Sequence, residues 1–445
     1  MPTFSCSEDS MRAMAGFALG RAKAAGADDA EFYASETRSL EASTRLGEPE
    51  SIGSDDRIHA RVTVYGGDKS GSASVTDLSE GAVAAAVDRA LESAKHSNDD
   101  PFNRIVEERY LPKKIEDLGN FKPADLSSEA LLAKAARIER LALAKDPRLQ
   151  NSEGAEAGFE LVRECIANTL GFEDVAQTSY HYAGCYLVAA QGDEMEVDGW
   201  SDVACDFRDL DSDEDVADRA AQAALGKLGA RPLAKGEYPV VFDARVSGGI
   251  FRAFFRAVSG GAVYNKSTFL LGKKGSRVFP AWMNIMERPH VKGSWDSSYY
   301  DDDLVATRDF PIVENGVLSD YLLGLYMARK LGAEPNGHGG GVTNVEFSPT
   351  HPDRDALLAD MGTGLLVTET MGGSVNLASG SFSKGVGGFW VENGRIAHPV
   401  SNLTVGGDLG QMLMGVRGMA DDPLRHRTLA CGSLWLGPMA VGAAQ

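Results

Sequence analysis

The run from residue 237 to residue 261, EYPVVFDARVSGGIFRAFFRAVSGG, constrains the fold of this chain more than any other stretch. It begins with an apolar strand pattern, Pro239 to Phe242, and continues into a helix-like segment, Ile250 to Val258. The glycine pairs 248–249 and 260–261 flank that segment, and glycine commonly ends regular elements. Strand, glycine break and helix in this order are typical of the place where an α/β or α+β protein holds its site. No side chain from Ile250 to Val258 is a usual zinc ligand.

Residues 1–230 repeat one order of elements. The patterns predict helix, strands and helix in a first half, about residues 1–123, and again in a second half, about residues 124–230. Ser79 precedes an alanine- and valine-rich segment, as the N-cap residue of a helix does. We interpret residues 1–230 as one α+β domain that arose by internal duplication.

The sequence pattern of residues 231–445 differs from that of residues 1–230. The boundary lies in the run Gly229 to Pro239, which is rich in glycine and proline. Beyond it, short β patterns alternate with glycine turns, and Asn393-Gly394 is the strongest hairpin signal. We predict an α+β fold, in which a duplicated helix–β-sheet–helix domain is followed by a mainly antiparallel β domain with a few helices. Those helices are expected near Ile250–Val258, Tyr326–Leu331, Asp353–Met361 and Leu409–Val416.

Charge and cysteine content narrow the class of partner. The 44 basic and 64 acidic residues give a formal net charge of −20, without a basic cluster, which argues against nucleic acid and anionic membranes as partners. The five cysteines are scattered and odd in number, which is typical of reduced thiols in the cytoplasm. No apolar run is long enough to span a bilayer. We expect a cytoplasmic protein.

Several motifs that often carry chemistry are incomplete in this chain. The eight histidines are dispersed and form no zinc motif, and no GxSxG nucleophile elbow occurs. The glycine-rich runs at residues 336–341 and 385–388 do not match nucleotide-binding loops. They are expected to form turns between strands or, alternatively, a flexible loop that closes over a groove or contacts a partner. Asp301-Asp302-Asp303 lacks the spacing of a calcium loop and is expected to be a solvated turn.

One glycine-containing segment is a candidate for substrate binding. It comprises Gly372, Gly373, Ser374 and Asn376. Glycines leave backbone groups unshielded, so an extended peptide could add to the sheet at an exposed edge there. Alternatively, Gly372 and Gly373 form only a bulge or tight turn. The sequence leaves both interpretations open.

Several long segments, in the same order, carry a resemblance to a known family: GGAVYNKSTFLLGKKG, VENGVLSDYLLGLYMARKLG, TETMGGSVNLASGSFSKGVGGFWVENGRIAHPVSNLTVGGDL and GPMAVGA. They resemble the PmbA/TldE branch of the TldD/PmbA metallopeptidase family, whose members are also called modulators of DNA gyrase. The resemblance covers most of the chain and is most specific in the C-terminal half.

The resemblance implies a peptidase fold whose own metal site is lost. The TldD branch has a His-Glu-x-x-x-His zinc motif on the helix that corresponds to Ile250–Val258. When the two helices are aligned, Arg252 replaces the first histidine, Ala253 the glutamate and Ala257 the second histidine. Cys431 lies near the place where TldD proteins have a cysteine ligand, and without the histidines it is expected to be a small buried residue. No catalytic residue, metal or other cofactor is therefore expected in this chain.

Two functions follow as hypotheses. In the first, the chain is the PmbA/TldE-like subunit of a TldD/TldE-type zinc metalloprotease that acts on unfolded peptides, and a TldD-like partner in a heterodimer supplies the zinc. In the second, it is a homodimeric peptide-binding or scaffold protein without protease activity. The acidic charge balance argues against direct DNA contact in either case.

Overall fold

The computed structural model describes residues 4–443 of the chain. These residues form two compact units. Unit 1 comprises the residues up to 188, with 197–222 and 292–295, and unit 2 comprises residues 189–196, 223–291 and those from 296 onward.

The helices and strands are numbered in chain order. The α-helices of the described residues are α1 (Glu8–Ala24), α2 (Glu80–His96), α3 (Ser128–Leu143), α4 (Asp213–Gly226), α5 (Ala244–Ala257), α6 (Gly260–Tyr264), α7 (Leu325–Leu331), α8 (Arg354–Met361) and α9 (Leu409–Met414). The strands are β1 (Asp29–Arg45), β2 (Glu48–Gly66), β3 (Lys69–Val75), β4 (Leu149–Asn168), β5 (Glu173–Gln191), β6 (Glu194–Ala204), β7 (Gly236–Phe242), β8 (Ile285–Glu287), β9 (Phe310–Glu314), β10 (Val317–Leu318), β11 (Val345–Phe347), β12 (Gly364–Asn376), β13 (Ser381–Glu392), β14 (Arg395–Asp408), β15 (Gly418–Met419), β16 (Leu429–Ala430) and β17 (Leu434–Ala443).

The first six strands form one sheet in the order β3-β2-β1-β4-β5-β6. It consists of two three-stranded meanders that meet where β1 and β4 pair antiparallel, with Phe32 opposite Ala167. The order helix, three strands, helix occurs twice, first as α1 to α2 and then as α3 to α4. Apolar residues that alternate along β1 and β2 pack against α1 and α2, which places Phe32, Val62 and Met11 in one core.

Unit 2 contains two further sheets. One has the order β14-β13-β12-β7-β17-β15, and β14 also pairs with β17, so that five of its strands close into a ring. Most neighbours in it are antiparallel, whereas β7 and β12 are parallel. The other sheet has the order β10-β9-β8-β11-β16. The predicted α+β fold, with a helix–sheet–helix N-terminal region and a mainly β C-terminal region, is confirmed.

Two predictions of secondary structure were wrong. The expected glycine break at residues 248–249 does not exist, because α5 begins at Ala244 and continues through both glycines. A Cβ at Gly248 would lie 3.5 Å from the Cys431 sulfur, which is an ordinary van der Waals distance, and a Cβ at Gly249 would meet open space. Strand β17 was not predicted, because Gly437 and Pro438 interrupt its apolar alternation.

None of the helices within residues 4–443 combines the length and the apolar character needed to cross a bilayer.

Candidate functional site

Helix α5 has one apolar face and one cationic face. Its apolar face carries Phe251 and Phe254, which are fully buried and contact Phe279, with the rings of Phe254 and Phe279 5.1 Å apart. Arg252 and Arg256 are exposed. Since residues four apart lie on the same side of a helix, the two guanidinium groups project from one face.

Asp243 fixes the N-terminus of α5. One of its carboxylate oxygens accepts the backbone N–H of Arg245 at 3.0 Å, as an N-cap side chain does. The other accepts a hydrogen bond from the guanidinium of Arg354 at 2.8 Å, and Asp243 itself is only 5% exposed. The helix that carries the site is therefore anchored at the end nearest β7.

Arg252, Ala253 and Ala257, which the family resemblance aligns with a zinc motif, offer a metal ion no donor atom. Ala253 and Ala257 belong to the apolar core of unit 2, and Ala257 has no exposed surface. Arg252 carries a cation and has no lone pair to offer a metal ion. Among residues 4–443, no group of three histidine, cysteine, aspartate or glutamate side chains is arranged to hold a metal ion.

Cys431 lies beside α5, as the alignment predicts, but its surroundings do not suit a zinc ligand. Its thiol accepts a hydrogen bond from the Ser247 hydroxyl at 3.3 Å. Burial raises the pKa of Cys431, which opposes formation of the thiolate that zinc requires, and the Arg252 charge offsets this only in part. Cys431, Ser247 and Arg252 thus do not fit zinc, and no chemical step through a metal is assigned to them.

A cavity of about 700 Å³ opens along the cationic face of α5. Arg252 and Arg256 form one wall, Tyr326 and Met327 of α7 form another, and the loop at residues 339–341 contributes a third. Within the part of the chain that the structure describes, neither guanidinium forms an ion pair or a hydrogen bond. The cavity therefore contains two cations whose hydrogen-bond donors are available to a ligand.

Asp303 is the carboxylate of the cavity wall. It is half-buried, and its Oδ2 accepts the backbone N–H of Leu325 at 2.7 Å, at the start of α7. One of its carboxylate oxygens is thus engaged by the backbone, and the two arginines outnumber this single carboxylate. The wall has a net positive charge in a chain of net charge −20.

The aspartate triplet is not the solvated turn that we expected. Asp301 is 9% exposed, and its carboxylate accepts backbone N–H groups from Gly339 at 2.7 Å and from Asp303 and Val305 at 2.9 Å each. Burial raises the pKa of Asp301 to about 7, although these N–H groups favour the carboxylate. Asp301 ties the glycine loop to the segment before α7.

His338, in the glycine loop, forms a buried pair with Glu287. Its Nε2 lies 2.7 Å from a carboxylate oxygen of Glu287, and its Nδ1 lies 2.7 Å from the Oδ1 of Asn336. That Oδ1 also accepts the N–H of Leu323, so Nδ1 donates to it. The His338 Nε2 is buried, and its contact with the Glu287 carboxylate lacks hydrogen-bond geometry. These contacts hold the loop at Asn336 and His338, whereas Gly340 and Gly341 are exposed beside the cavity.

The candidate peptide segment lies on β12, and none of its four residues lines the cavity. The register of β12 and β13 shifts between Met371 and Ser374, so Gly372 and Gly373 form a bulge. The Asn376 side chain accepts N–H groups from Ala378 and Ser379 in the following turn.

The outer edge of β12 is partly unpaired. On that side β12 pairs with β7 only from Leu365 to Val367. From Thr368 to Asn376 it has no strand partner there among residues 4–443, and most of this stretch is exposed. The bulge and a free strand edge are therefore both present.

Three family models match successive parts of the chain. Residues 30–94 match the PmbA/TldA metallopeptidase domain 1, residues 121–228 match the central domain, and residues 235–443 match the C-terminal domain. The chain belongs to the PmbA/TldD metallopeptidase family. The resemblance drawn from its sequence segments is confirmed.

Individual PmbA/TldD proteins resemble the chain along nearly all of its length. Metalloprotease PmbA of Escherichia coli O157:H7 is 35% identical over 415 residues, which are 93% of this chain and 92% of that protein. A Bacteroides thetaiotaomicron structure that carries the designation modulator of DNA gyrase superposes with a TM-score of 0.92 at 22% identity, covering 98% of this chain and 99% of that one. TldE from Thermococcus kodakarensis gives 0.84 at 20% identity, covering 98% and 100%. These two structures show the shared PmbA/TldD fold.

Sequence reasoning identified Arg252 and Cys431 but missed the rest of the site in this PmbA/TldD protein. It treated Arg256 only as a residue that is not a zinc ligand, and it regarded His338 as one of several dispersed histidines. The spacing of four between Arg252 and Arg256 was the available signal, since it places two cations on one face of a predicted helix. No sequence signal joins His338 to Glu287, which is 51 positions away.

Proposed function

We propose that this chain is the PmbA/TldE-like subunit of a TldD/TldE-type zinc metalloprotease that acts on unfolded peptides. In this proposal the chain has no zinc site of its own, and a TldD-like partner supplies the metal in a heterodimer. The single observation that carries it is the composition of α5 at the three positions that the resemblance aligns with a zinc motif: Arg252 is exposed at one of them, and Ala253 and Ala257 are buried in the apolar core at the other two. A Zn²⁺ ion beside these positions would meet a guanidinium instead of a donor.

The comparisons support this proposal at the level of the family. The relative in Escherichia coli O157:H7 bears the name metalloprotease, and the fold is shared with TldE of Thermococcus kodakarensis. A family of metallopeptidases in which one chain lacks donors at the metal position is consistent with a division of roles between two chains. The five free cysteines of the described residues are consistent with the reducing cytoplasm as the site of action.

In the proposed complex, this chain contributes to holding peptide rather than to bond cleavage. The free edge of β12 from Thr368 to Asn376 offers backbone N–H and C=O groups that an extended peptide can pair with. The bulge at Gly372 and Gly373 keeps that edge free of bulky side chains. We expect Gly372→Val to weaken binding of an unfolded peptide, with the urea unfolding midpoint as the control for an intact fold. Unchanged peptide affinity would count against this role.

Hydrolysis assays test the division of roles. The purified chain, a purified TldD-like partner from the same organism, and an equimolar mixture are each incubated with casein. The proposal predicts that cleavage requires the mixture and that the two chains co-elute in size-exclusion chromatography. Hydrolysis by the chain alone would refute it, whereas a homodimer that never binds the partner would favour the stand-alone peptide-binding protein.

A further inference from the structure

We propose that the cavity beside α5 binds the C-terminal carboxylate of a peptide, which Arg252 and Arg256 hold together. That the ligand is a peptide rests on the proposed function, whereas the anionic group is inferred from the cavity itself. Nothing in the family resemblance assigns a ligand to this position.

The first argument is the state of the two arginines. Arg252 and Arg256 both line the cavity and, within residues 4–443, neither has a carboxylate partner. The chain has 64 acidic residues and 44 basic ones, so carboxylates are the more abundant charged groups. Two neighbouring cations without an anion repel each other, and a ligand carboxylate between them relieves that repulsion. Guanidinium groups also match the planar geometry of a carboxylate with paired hydrogen bonds.

The second argument is the rest of the lining. Phe255, Met327, Val342 and Leu429 provide apolar surface next to the arginines. A volume of about 700 Å³ is in the range of pockets that hold small ligands, and it accommodates a terminal side chain together with its carboxylate. Cations next to apolar surface suit a peptide whose last residue is apolar, because its carboxylate and its apolar side chain lie side by side.

The third argument distinguishes a carboxylate from a phosphate. Asp303 lies in the same wall and repels any anion that enters. The nearby backbone N–H of Gly339 is already donated to Asp301, so it is not available to a third phosphate oxygen. The cavity therefore supplies two guanidinium groups, which match the two oxygens of a carboxylate, but not the Gly339 N–H as a donor for a third phosphate oxygen.

Fluorescence anisotropy on the purified chain tests the proposal. The probe is an N-terminally fluorescein-labelled hexapeptide, Gly-Ser-Ala-Val-Ala-Leu, with either a free or an amidated C-terminus. We expect the free acid to bind at least about tenfold more tightly, since charge-assisted hydrogen bonds contribute about that factor. The double variant R252A/R256A is expected to bind the free acid as weakly as the amide.

Matched variants separate the site from general charge effects. R395A removes an exposed arginine of unit 2 outside the cavity and is expected to leave the affinity unchanged. R252K/R256K keeps both charges without the guanidinium geometry and is expected to give an intermediate affinity. Because Arg252 and Arg256 are exposed, their replacement does not disturb the core of unit 2.

Three results would overturn the proposal. One is equal affinity for the free acid and the amide, and another is an R252A/R256A variant that binds like the wild type. The third is that an amidated peptide ending in glutamate binds as tightly as the free acid, or that inorganic phosphate competes for the cavity as effectively as the free acid. These outcomes are distinct from failure of the proposed function, because anisotropy needs neither zinc nor the partner. If the mixture with the partner cleaves casein while the chain alone binds the free acid and the amide equally, only this inference is refuted.

Discussion

Substitution of Ala257 by histidine is expected to destabilise unit 2 strongly, although it restores one residue of the zinc motif. Ala257 has no exposed surface and lies in the core with Phe254 and Met283. An imidazole there overfills the packing, at about 1–3 kcal/mol. It also buries polar nitrogens without partners, which costs about 1–3 kcal/mol more. We therefore expect A257H to lower the free energy of unfolding by about 2–6 kcal/mol in urea titrations followed by circular dichroism.

The matched control is R252H, which places the same side chain on the exposed face of the same helix. It is expected to change the free energy of unfolding by no more than about 0.5 kcal/mol. The triple variant R252H/A253E/A257H is expected to bind no stoichiometric zinc. The close packing around α5 leaves no room for a zinc site, so restoring the three side chains of the motif is not sufficient. Equal unfolding midpoints for A257H and R252H would refute the packing argument, and so would a triple variant that is stable and binds one zinc ion.

Two further predictions concern the loops around the site and the candidate peptide edge. Burial raises the pKa of Asp301 to about 7, so the folded chain holds a proton that the unfolded chain releases between about pH 4 and pH 7. Stability should therefore fall as pH rises through that window, by at most about 1.4 kcal/mol per pH unit for this group. Asp301→Asn should reduce the pH dependence of the free energy of unfolding. The contribution of Asp296 should remain, because burial raises the pKa of that residue to about 6. An unchanged pH dependence in urea titrations at several pH values would contradict this. Both glycines of the bulge have positive φ, so alanine is strained at either position. Gly372→Ala should destabilise the chain by only about 1 kcal/mol, because its Cβ would meet open space. Gly373→Ala should destabilise it by about 3 kcal/mol, because its Cβ would also clash with the Ser383 carbonyl oxygen. Equal losses for the two variants in thermal unfolding would show that the clash is relieved.

Helices and strands with strong local signals were predictable from the sequence. Ser79 was recognised as the N-cap of α2, and its side chain accepts the N–H of Ala82. The turn at Asn393-Gly394 joins β13 and β14, and both residues have positive φ, as that dipeptide favours. These signals depend on neighbours in the chain, which the sequence displays directly.

Features that depend on tertiary contacts were not predictable. The glycines of α5 were taken as a break because paired glycines often interrupt a helix, whereas α5 continues from Ala244 to Ala257 through both of them and packs its apolar face into the core. Asp301 was expected to be solvated, since a run of three aspartates is usually exposed. The backbone N–H groups of Gly339, Asp303 and Val305, which compensate its burial, reach its carboxylate only in the folded chain. The proximity of Cys431 to Arg252 came from family resemblance, whereas the pairing of His338 with Glu287 had no signal of any kind.

The most direct test of the central claim is the zinc content of this chain, alone and in complex with a TldD-like partner. Each sample is equilibrated with zinc, dialysed, and measured by inductively coupled plasma mass spectrometry alongside peptide hydrolysis. The account predicts no stoichiometric zinc and no hydrolysis for the chain alone, and zinc with activity in the mixture that disappear together when the metal is chelated. One tightly held zinc ion per chain, with hydrolysis in the absence of any partner, would contradict it and would place the metal near Cys431.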